Sequence, residues 1–163
     1  MLEKIRPDLM VSSVTDIPFI FLENKGIKGI IIDLDNTLTN WNCRFIPQEI
    51  GEWLKTLNKS GLRFCVVSNS SSYRIESTIK SLEIPFVANA QKPRKKAFIQ
   101  AMEILNTLPQ NTVVIGDQLF TDVLGGKRLG LTTILVTPRS KREFIGTKLV
   151  RILERRVLKN LKN

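Results

Sequence analysis

Residues 27–38 read IKGIIIDLDNTL, and the rest of the chain can be interpreted outward from this stretch. Five of the six residues at positions 27–32 are apolar, four of them isoleucine, and β-branched side chains favour a strand. A run this apolar predicts a strand that is buried on both faces, as in a parallel sheet. The chain then turns polar at once, so the end of the strand delivers Asp33 and Asp35 to one place.

Asp33 and Asp35 are two residues apart and would share a face if the strand continued. Two carboxylates this close repel each other unless a cation lies between them. Oxygen ligands suit Mg²⁺, which usually keeps waters and takes a phosphate oxygen from a substrate. The pair therefore predicts Mg²⁺ as a cofactor.

Strand and helix patterns alternate along the remaining chain. A helix is expected over 47–60, because Pro47 can open it, Gly61 can end it and its apolar residues repeat with helical spacing. Further strands are expected at 62–67, 86–88, 112–115 and 131–136, and further helices at 70–82, 93–105 and 121–129. This alternation predicts an α/β fold with a parallel sheet, helices on both faces, and a ligand beyond the carboxyl ends of the strands.

Polar side chains follow four of the predicted strands at that end of the sheet. They are Asp33, Asp35 and Thr37 after the first strand, Ser68 and Asn69 after the second, Lys92 after the third, and Asp117 and Asp122 after the fourth. Each could be an ordinary cap or loop residue alone. Together they are expected to converge on one pocket.

Such a pocket can support phosphoryl transfer through an aspartyl-phosphate. Asp33 would attack phosphorus, and Asp35 would protonate the leaving alcohol and then deprotonate the hydrolytic water. Mg²⁺ would be held by Asp33, the main-chain carbonyl of Asp35, Asp117 and Asp122, with Asp122 acting through water or a hydrogen bond.

The other polar residues would bind the phosphate. Ser68, the amide of Asn69 and Lys92 would hold the oxygens that are not transferred, while the amide of Thr37 would face the phosphate. These groups place donors and positive charge where the transition state gathers negative charge.

Composition narrows the chemistry. The 163 residues include no histidine, which excludes Ser-His-Asp and Cys-His catalysis and histidine metal ligands. The two cysteines, Cys43 and Cys65, are expected to be reduced thiols, with Cys65 in the core. The formal charge of +10 implies an anionic partner: nucleic acid, acidic lipid or a phosphorylated substrate.

The segment 141–163 carries much of this charge, with eight Lys or Arg against two Glu, a local excess of +6. Its pattern predicts a basic amphipathic helix with an apolar side that packs and a basic side that meets solvent. The apolar side comprises Leu149, Val150, Ile152, Leu153, Val157 and Leu161, and the basic side comprises Lys148, Arg151, Arg155, Lys159 and Lys162. Anionic membranes attract such helices. Without interleaved aromatic residues the charge favours a membrane over nucleic acid.

The motifs resemble those of the haloacid dehalogenase (HAD) superfamily. DLDNT is similar to its first motif, SNS to the second, QKP to the lysine-bearing third and GDQLFTD to the acidic fourth. The flanking segments GIKGIIIDLDNTL, GDQLFTDVLGGKRLGL and ILERR resemble the YqeG-like phosphatases of subfamily IIIA. The resemblance implies a HAD-like sheet and a phosphoric monoester hydrolase.

That family is related to enzymes that dephosphorylate phosphatidylglycerophosphate, so the resemblance implies this anionic lipid as substrate. Superfamily members with large cap domains insert them after the first or second motif, where this chain has room only for a loop, a helix and a strand. The pocket should therefore be nearly uncapped, which suits a headgroup still in its membrane.

The expected organisation is an N-terminal lead-in over 1–26, a phosphatase core over 27–140 and the terminal helix over 141–163. A cytoplasmic location, with peripheral membrane contact through the terminal helix, is expected because the first ten residues lack a secretion-signal core. The alternatives left open are a phosphatase for nucleic-acid ends or phosphoproteins and a non-catalytic basic RNA-associated module. A receiver-like module is disfavoured, since no acid follows the second or third strand. The oligomeric state is left open.

Overall fold

The computed structural model describes residues 5–162, and for residue 162 it describes the backbone alone. The beginning of the predicted lead-in, residues 1–4, and the last residue of the predicted terminal helix, Asn163, lie outside the described residues. So does the side chain of Lys162, which the sequence pattern placed on the basic side of that helix.

Within the described chain, a parallel sheet of six strands forms the centre of the molecule, in the order β1-β6-β5-β2-β3-β4. The strands are β1 (Leu9–Val11), β2 (Gly29–Ile32), β3 (Arg63–Val67), β4 (Phe86–Val87), β5 (Thr112–Gly116) and β6 (Thr132–Val136). The stretch that follows Ile27 thus supplies the central strand β2, which pairs with β3 on one side and β5 on the other.

Helices cover both faces of the sheet, as the alternating pattern predicted. They are α1 (Phe19–Asn24), α2 (Gln48–Lys59), α3 (Ser72–Ile79), α4 (Lys95–Leu105), α5 (Leu124–Lys127) and α6 (Ile145–Lys162). Side chains of β2 alternate between the faces: Ile30 and Ile32 join the hydrophobic cluster under α2 and α3, whereas Ile31 joins the cluster that contains Phe98 of α4. Burial of both faces explains why β2 is continuously apolar.

The five predicted strands are confirmed, with ends that differ by two residues or fewer. One further strand, β1, was not predicted: Leu9 to Val11 pair with Ile134 to Val136 at the edge of the sheet. Between β2 and β3 the chain forms a loop and α2, and between β3 and β4 it forms α3 and a short 3-10 turn. No cap domain is inserted in either place, in agreement with the spacing of the motifs.

Helix α6 packs only partly as expected. Lys148 and Arg155 are exposed and Val157 packs against the core, as the pattern predicted. The rest of the prediction is wrong, because Leu149, Ile152 and Leu153 are exposed while Arg151 and Glu154 are buried. Ion pairs between the buried charged residues and the core explain this orientation, because they satisfy charges that would otherwise be costly to bury. None of the helices in the described chain has the length and apolarity needed to cross a bilayer.

Candidate active site

The site lies at the carboxyl ends of β2, β3 and β5. The main-chain amide of Asp33 donates to the carbonyl of Ile115 at 2.9 Å, so the pairing of β2 with β5 continues to the residue that begins the polar loop. Because β2 and β5 are neighbours, Asp33 and Asp117 leave the sheet side by side. This is the crevice in which open parallel sheets bind their ligands.

Three buried carboxylates meet in this crevice. Asp33, Asp117 and Asp122 each offer an oxygen, and these oxygens lie within 4.8 Å of one another. Lys92 contacts two of them: its Nζ lies 2.7 Å from Oδ1 of Asp33 and 2.6 Å from Oδ1 of Asp122. The structure thus brings these four residues together, although they are spread over ninety positions.

Gly116, the last residue of β5, leaves the space that Asp122 fills. A Cβ atom on Gly116 would lie 2.2 Å from Cγ of Asp122, a distance at which one of the two must move. The carboxylate of Asp122 also accepts a hydrogen bond from the main-chain amide of Gln118 at 3.1 Å. The chain that connects Gly116 to Asp122 forms a π-helix over Leu119–Val123, a geometry often found at functional sites.

The electrostatics of the cluster favour a further cation. Burial raises the pKa of Asp33 well above its usual range, against the Lys92 charge, and the charges of Asp122 and Asp117 raise it further. Burial likewise raises the pKa of Asp117 to about 6, although the Arg151 guanidinium opposes the shift. Lys92 keeps its proton firmly, since the two acids that face it raise its pKa despite the cost of burial.

Asp35 lies apart from this cluster. Its carboxylate accepts a hydrogen bond from the hydroxyl of Ser70 at 2.9 Å and one from the amide of Asn42 at 3.1 Å, and it forms an ion pair with Arg74 of α3. Among residues 5–162, it is not a member of the acidic group that surrounds Lys92. The two acids of the DLD sequence thus have different partners, because β2 ends at Ile32 and they do not share the face of a continuing strand.

The remaining predicted residues are close to the same place. The hydroxyl of Thr37 lies 3.2 Å from Oδ1 of Asp117 and 3.5 Å from Oδ2 of Asp33. Ser68 is buried, and Oδ1 of Asn69 accepts a hydrogen bond from the main-chain amide of Lys92 at 2.8 Å.

A pocket of about 470 Å³ opens over these groups. It is lined by Asp33, Asp35, Asn36, Trp41, Asn42, Ser68, Asn69, Ser70, Arg74, Lys92, Gln118, Thr121, Glu143, Phe144 and Thr147. A second, larger cavity of about 800 Å³ lies between α6 and the edge formed by β1 and β6, and Asp117 borders it.

Two arginines of the site, Arg74 and Arg151, were not predicted from the sequence. Arg74 follows the cap residue Ser71 at the start of α3, and a search of the first turn of the helix after β3 could have found it. Arg151 forms an ion pair with the carboxylate of Asp117 and also donates to its main-chain carbonyl. Nothing in the pattern of α6 indicated that this arginine faces inward.

The donor set fits a hard divalent cation. Among the described residues, the three buried carboxylates pair with two positively charged side chains, Lys92 and Arg151, and each carboxylate offers oxygen as the donor atom. Carboxylate oxygens suit hard divalent cations as a class.

Comparison with known proteins supports the same class of chemistry. Residues 2–139 match the family model described as mitochondrial PGP phosphatase. The chain is 40% identical over 156 residues to the probable phosphatase YqeG of Bacillus subtilis (strain 168), covering 96% of this chain and 91% of that protein. It is 31% identical over 173 residues to phosphatidylglycerophosphate phosphatase 1, chloroplastic/mitochondrial, of Arabidopsis thaliana, covering 95% of this chain but 47% of the plant protein.

The fold also resembles solved structures. The cobalt-bound deoxy-D-mannose-octulosonate 8-phosphate phosphatase (YrbI) of Haemophilus influenzae aligns with a TM-score of 0.54 at 18% identity, over 83% of this chain and 89% of that one. The phosphatase relatives define a phosphoric monoester hydrolase, and its parallel sheet has a HAD-like fold. Among such hydrolases, the chain belongs to the mitochondrial PGP phosphatase family.

Proposed function

We propose that this protein is a Mg²⁺-dependent phosphatase that hydrolyses a phosphate monoester through an aspartyl-phosphate on Asp33, with phosphatidylglycerophosphate as substrate and phosphatidylglycerol as product. The observation that carries the proposal is the buried cluster of Asp33, Asp117 and Asp122, of which Asp33 lines the 470 Å³ pocket. Burying three carboxylates together is costly without added positive charge. In a phosphatase, the positive charge of a cation bound by these carboxylates can also bind the anionic phosphate of the substrate.

Mg²⁺ would be held by the carboxylates of Asp33, Asp117 and Asp122 and by the main-chain carbonyl of Asp35. When bound, the cation offsets the repulsion between an anionic nucleophile and an anionic phosphate. Lys92 occupies Oδ1 of both Asp33 and Asp122, so their Oδ2 atoms and Oδ1 of Asp117 are the oxygens that it leaves to other partners.

Asp33 is the proposed nucleophile, because it is the acid that follows the central strand and lies at the floor of the pocket. Lys92 holds one oxygen of its carboxylate at 2.7 Å, which restricts the rotation of the group and keeps the other oxygen available for attack. Attack on phosphorus forms the Asp33 phosphoester and breaks the bond to the leaving alcohol.

Asp35 is the proposed general acid and base. Ser70 and Arg74 fix its carboxylate at the wall of the pocket, separate from the acids of the cluster. It would give a proton to the leaving oxygen in the first step and take one from water in the second, so that the water can release phosphate from Asp33.

Four residues are proposed to bind the phosphate oxygens: Thr37, Ser68, Asn69 and Lys92. Ser68, Asn69 and Lys92 line the same pocket as Asp33. Thr37 lies in the loop after β2, with its hydroxyl 3.5 Å from Oδ2 of Asp33. Fixed donors in these positions stabilise the charge that develops on the transferred group.

A lipid substrate is supported by three observations. The Arabidopsis relative is named a phosphatidylglycerophosphate phosphatase. In the described chain no inserted domain covers the pocket, so a headgroup attached to a membrane could reach it. The pocket is also lined by Trp41 and Phe144, two partly or largely exposed aromatic residues of the kind found where proteins meet a membrane surface.

The proposal includes peripheral membrane contact through residues 141–163. The outward side of α6 carries Ile145, Leu149, Ile152 and Leu153, all exposed, and Lys148, Arg156 and Lys159 are exposed on the same helix. An apolar stripe flanked by basic residues can insert between lipids while its charges meet anionic headgroups.

The catalytic part of the proposal is tested with Asp33→Asn in a purified protein. Release of phosphate from an aryl phosphate in Mg²⁺ should fall on the order of 10³-fold or more, since an amide cannot form the phosphoester. Asp16→Asn is the matched control, because it changes an exposed acid away from the pocket. Turnover by Asp33→Asn at the rate of the control, with an unchanged far-UV spectrum, would refute the nucleophile.

The substrate is tested by a screen in Mg²⁺ that places phosphatidylglycerophosphate beside sugar phosphates, nucleotides, phosphopeptides and end-phosphorylated DNA. The lipid should give the highest kcat/KM. A higher value for phosphopeptides or DNA ends would replace the lipid by that substrate.

Membrane contact is tested by flotation with vesicles that contain anionic phospholipid. The double variant Leu149→Ser, Ile152→Ser should bind vesicles at least about 10-fold more weakly, because two apolar side chains that would insert into the bilayer are lost. Its aryl phosphate turnover should stay unchanged. The control is Ile20→Ser, an exposed isoleucine of α1. Equal vesicle binding by the double variant and this control would remove the membrane contact.

A further inference from the structure

Helix α6 buries charged residues at the place where it meets the acidic cluster. Arg151 and Glu154 are 7% and 3% exposed, which is unusual for residues in the middle of a surface helix. A buried charge persists only where partners satisfy it. The partners of these two side chains therefore show what this part of the helix does.

Arg151 binds one residue of the cluster at two points. Its guanidinium pairs with Oδ2 of Asp117 through Nη2 and donates to the main-chain carbonyl of the same residue through Nη1. The planar fork of an arginine suits such two-point recognition, and a lysine cannot reproduce it. Arg151 thus fixes the side chain of Asp117 relative to its own backbone.

The guanidinium is itself held in place by two acids. Nε donates to Glu143 at 2.9 Å and Nη1 to Glu154 at 3.2 Å. Glu154 also accepts a hydrogen bond from the main-chain amide of Phe120 at 3.0 Å. Helix α6 therefore contacts the segment from Asp117 to Asp122 at two residues: Arg151 binds Asp117, and Glu154 binds the amide of Phe120.

The ion pair between Arg151 and Asp117 determines which oxygen of the Asp117 carboxylate faces the other acids. With Oδ2 engaged by Arg151, Oδ1 lies 3.2 Å from the hydroxyl of Thr37, whose oxygen is 3.5 Å from Asp33. Oδ1 of Asp117 is therefore directed toward the place where the proposed cation would sit. Groups that orient metal ligands in this way commonly govern how tightly the metal binds.

We propose that Arg151 is a positioning residue of the cation site and that α6, through it, forms part of the active site. This inference rests on the proposed Mg²⁺ dependence. Arg151 touches neither phosphate nor the nucleophile; it acts by holding Asp117 with Oδ1 turned inward.

The test is Arg151→Lys, with cation binding measured directly. Lysine keeps the positive charge, so residue 151 repels a divalent cation as before. The two-point binding of Asp117, through its carboxylate and its main-chain carbonyl, is lost. The Kd for Mn²⁺, from the electron paramagnetic resonance signal of the free ion, should rise about 10-fold, the lower end of the usual effect of such partners. The Mg²⁺ concentration that gives half-maximal turnover should rise with it, while KM for an aryl phosphate at saturating Mg²⁺ stays constant.

Arg155→Lys is the matched control. It makes the same chemical change one turn further along α6, at an arginine that is exposed. It should bind Mn²⁺ like the wild type. If Arg151→Lys does not fold, Glu154→Gln gives the second measurement: it weakens the anchor of Arg151 while leaving an oxygen for the Phe120 amide, and its Kd should rise in the same direction.

The outcomes separate the two proposals. A Kd for Arg151→Lys equal to or below that of the wild type overturns the role of Arg151 and leaves the proposed Mg²⁺ site intact. A wild-type chain that binds neither Mn²⁺ nor Mg²⁺ overturns the cation site, and the positioning role falls with it.

Discussion

Lys92 holds two buried acids, and replacing it with methionine, Lys92→Met, removes the charge while keeping a side chain of similar length. The side chain of Lys92 is 4% exposed, and its Nζ lies within 2.7 Å of Asp33 and Asp122, whose carboxylates are 8% and 2% exposed. Removing one partner of a buried ion pair generally costs about 3–5 kcal/mol, because the remaining charges lose their compensation. Here two carboxylates lose it together.

A loss of that size corresponds to a fall in Tm of roughly 6–20 °C for a domain of this length. Added Mg²⁺ should restore part of the free energy of unfolding, about 2.7 kcal/mol when its concentration is 100 times Kd, because the cation supplies charge to the same acids. The variant should therefore depend on Mg²⁺ for stability more than the wild type does.

The assay is urea unfolding of both proteins with and without Mg²⁺, followed by tryptophan fluorescence. Lys127→Met is the control, since Lys127 pairs with Asp8 at 2.8 Å with side chains that are 23% and 27% exposed. A surface pair of that kind contributes about 1 kcal/mol or less. If Lys92→Met costs no more than Lys127→Met, the acids of the cluster are not held as buried anions, and the electrostatic argument for the cation site is wrong.

Two further predictions concern the thiols and the pH dependence of stability. Burial raises the pKa of Cys65 to about 12, so iodoacetamide at pH 8 should label the partly exposed Cys43 and leave Cys65 unmodified until the protein is unfolded. Peptide mass spectrometry measures both modifications. Rapid labelling of Cys65 in the folded protein would contradict its place in the core. Burial raises the pKa of Asp8, but hydrogen bonds from Lys127 and Thr133 outweigh it and the folded pKa lies below the usual 3.8. The stability difference between wild type and Asp8→Asn should therefore be present above about pH 4 and vanish as the pH falls through the folded pKa; a difference that persists at pH 2 in chemical denaturation would exclude ionisation as its cause.

Most of the fold could be predicted because its determinants are local. Each strand of the core is a short apolar run, each helix after it has a visible start or stop, and alternation then leaves few arrangements of the sheet. The same logic located Asp33, Lys92, Asp117 and Asp122, because the carboxyl ends of parallel strands always meet at one edge.

Strand β1 could not be predicted in this way. Its three residues, Leu9–Val11, carry no period of their own and are only partly buried. They form a strand because β6 offers hydrogen-bonding groups at the edge of the sheet and because the amide of Asp8 donates to the carbonyl of Thr133. Such pairing depends on residues more than a hundred positions away.

The inward face of α6 was missed for a related reason. The periodicity of a helix shows that two sides differ, but it does not show which side the core accepts. Here the core presents the carboxylate of Asp117 and the amide of Phe120, and these groups select Arg151 and Glu154 over the leucines of the opposite side. Because the core is polar where α6 packs on it, charged residues of the helix face inward there. The helix sequence alone does not show this, since it contains no information on the polarity of the surface that receives it.

The two outer strands of the sheet also bear on how this protein can associate with other chains. β1 spans three residues and β4 two, so each border of the sheet offers a very short row of backbone groups to an added strand. Lengthening the sheet into a fibril, or recruiting an extended peptide, would gain few hydrogen bonds at either border. Contacts with other folded chains should therefore use the helical surfaces rather than strand addition.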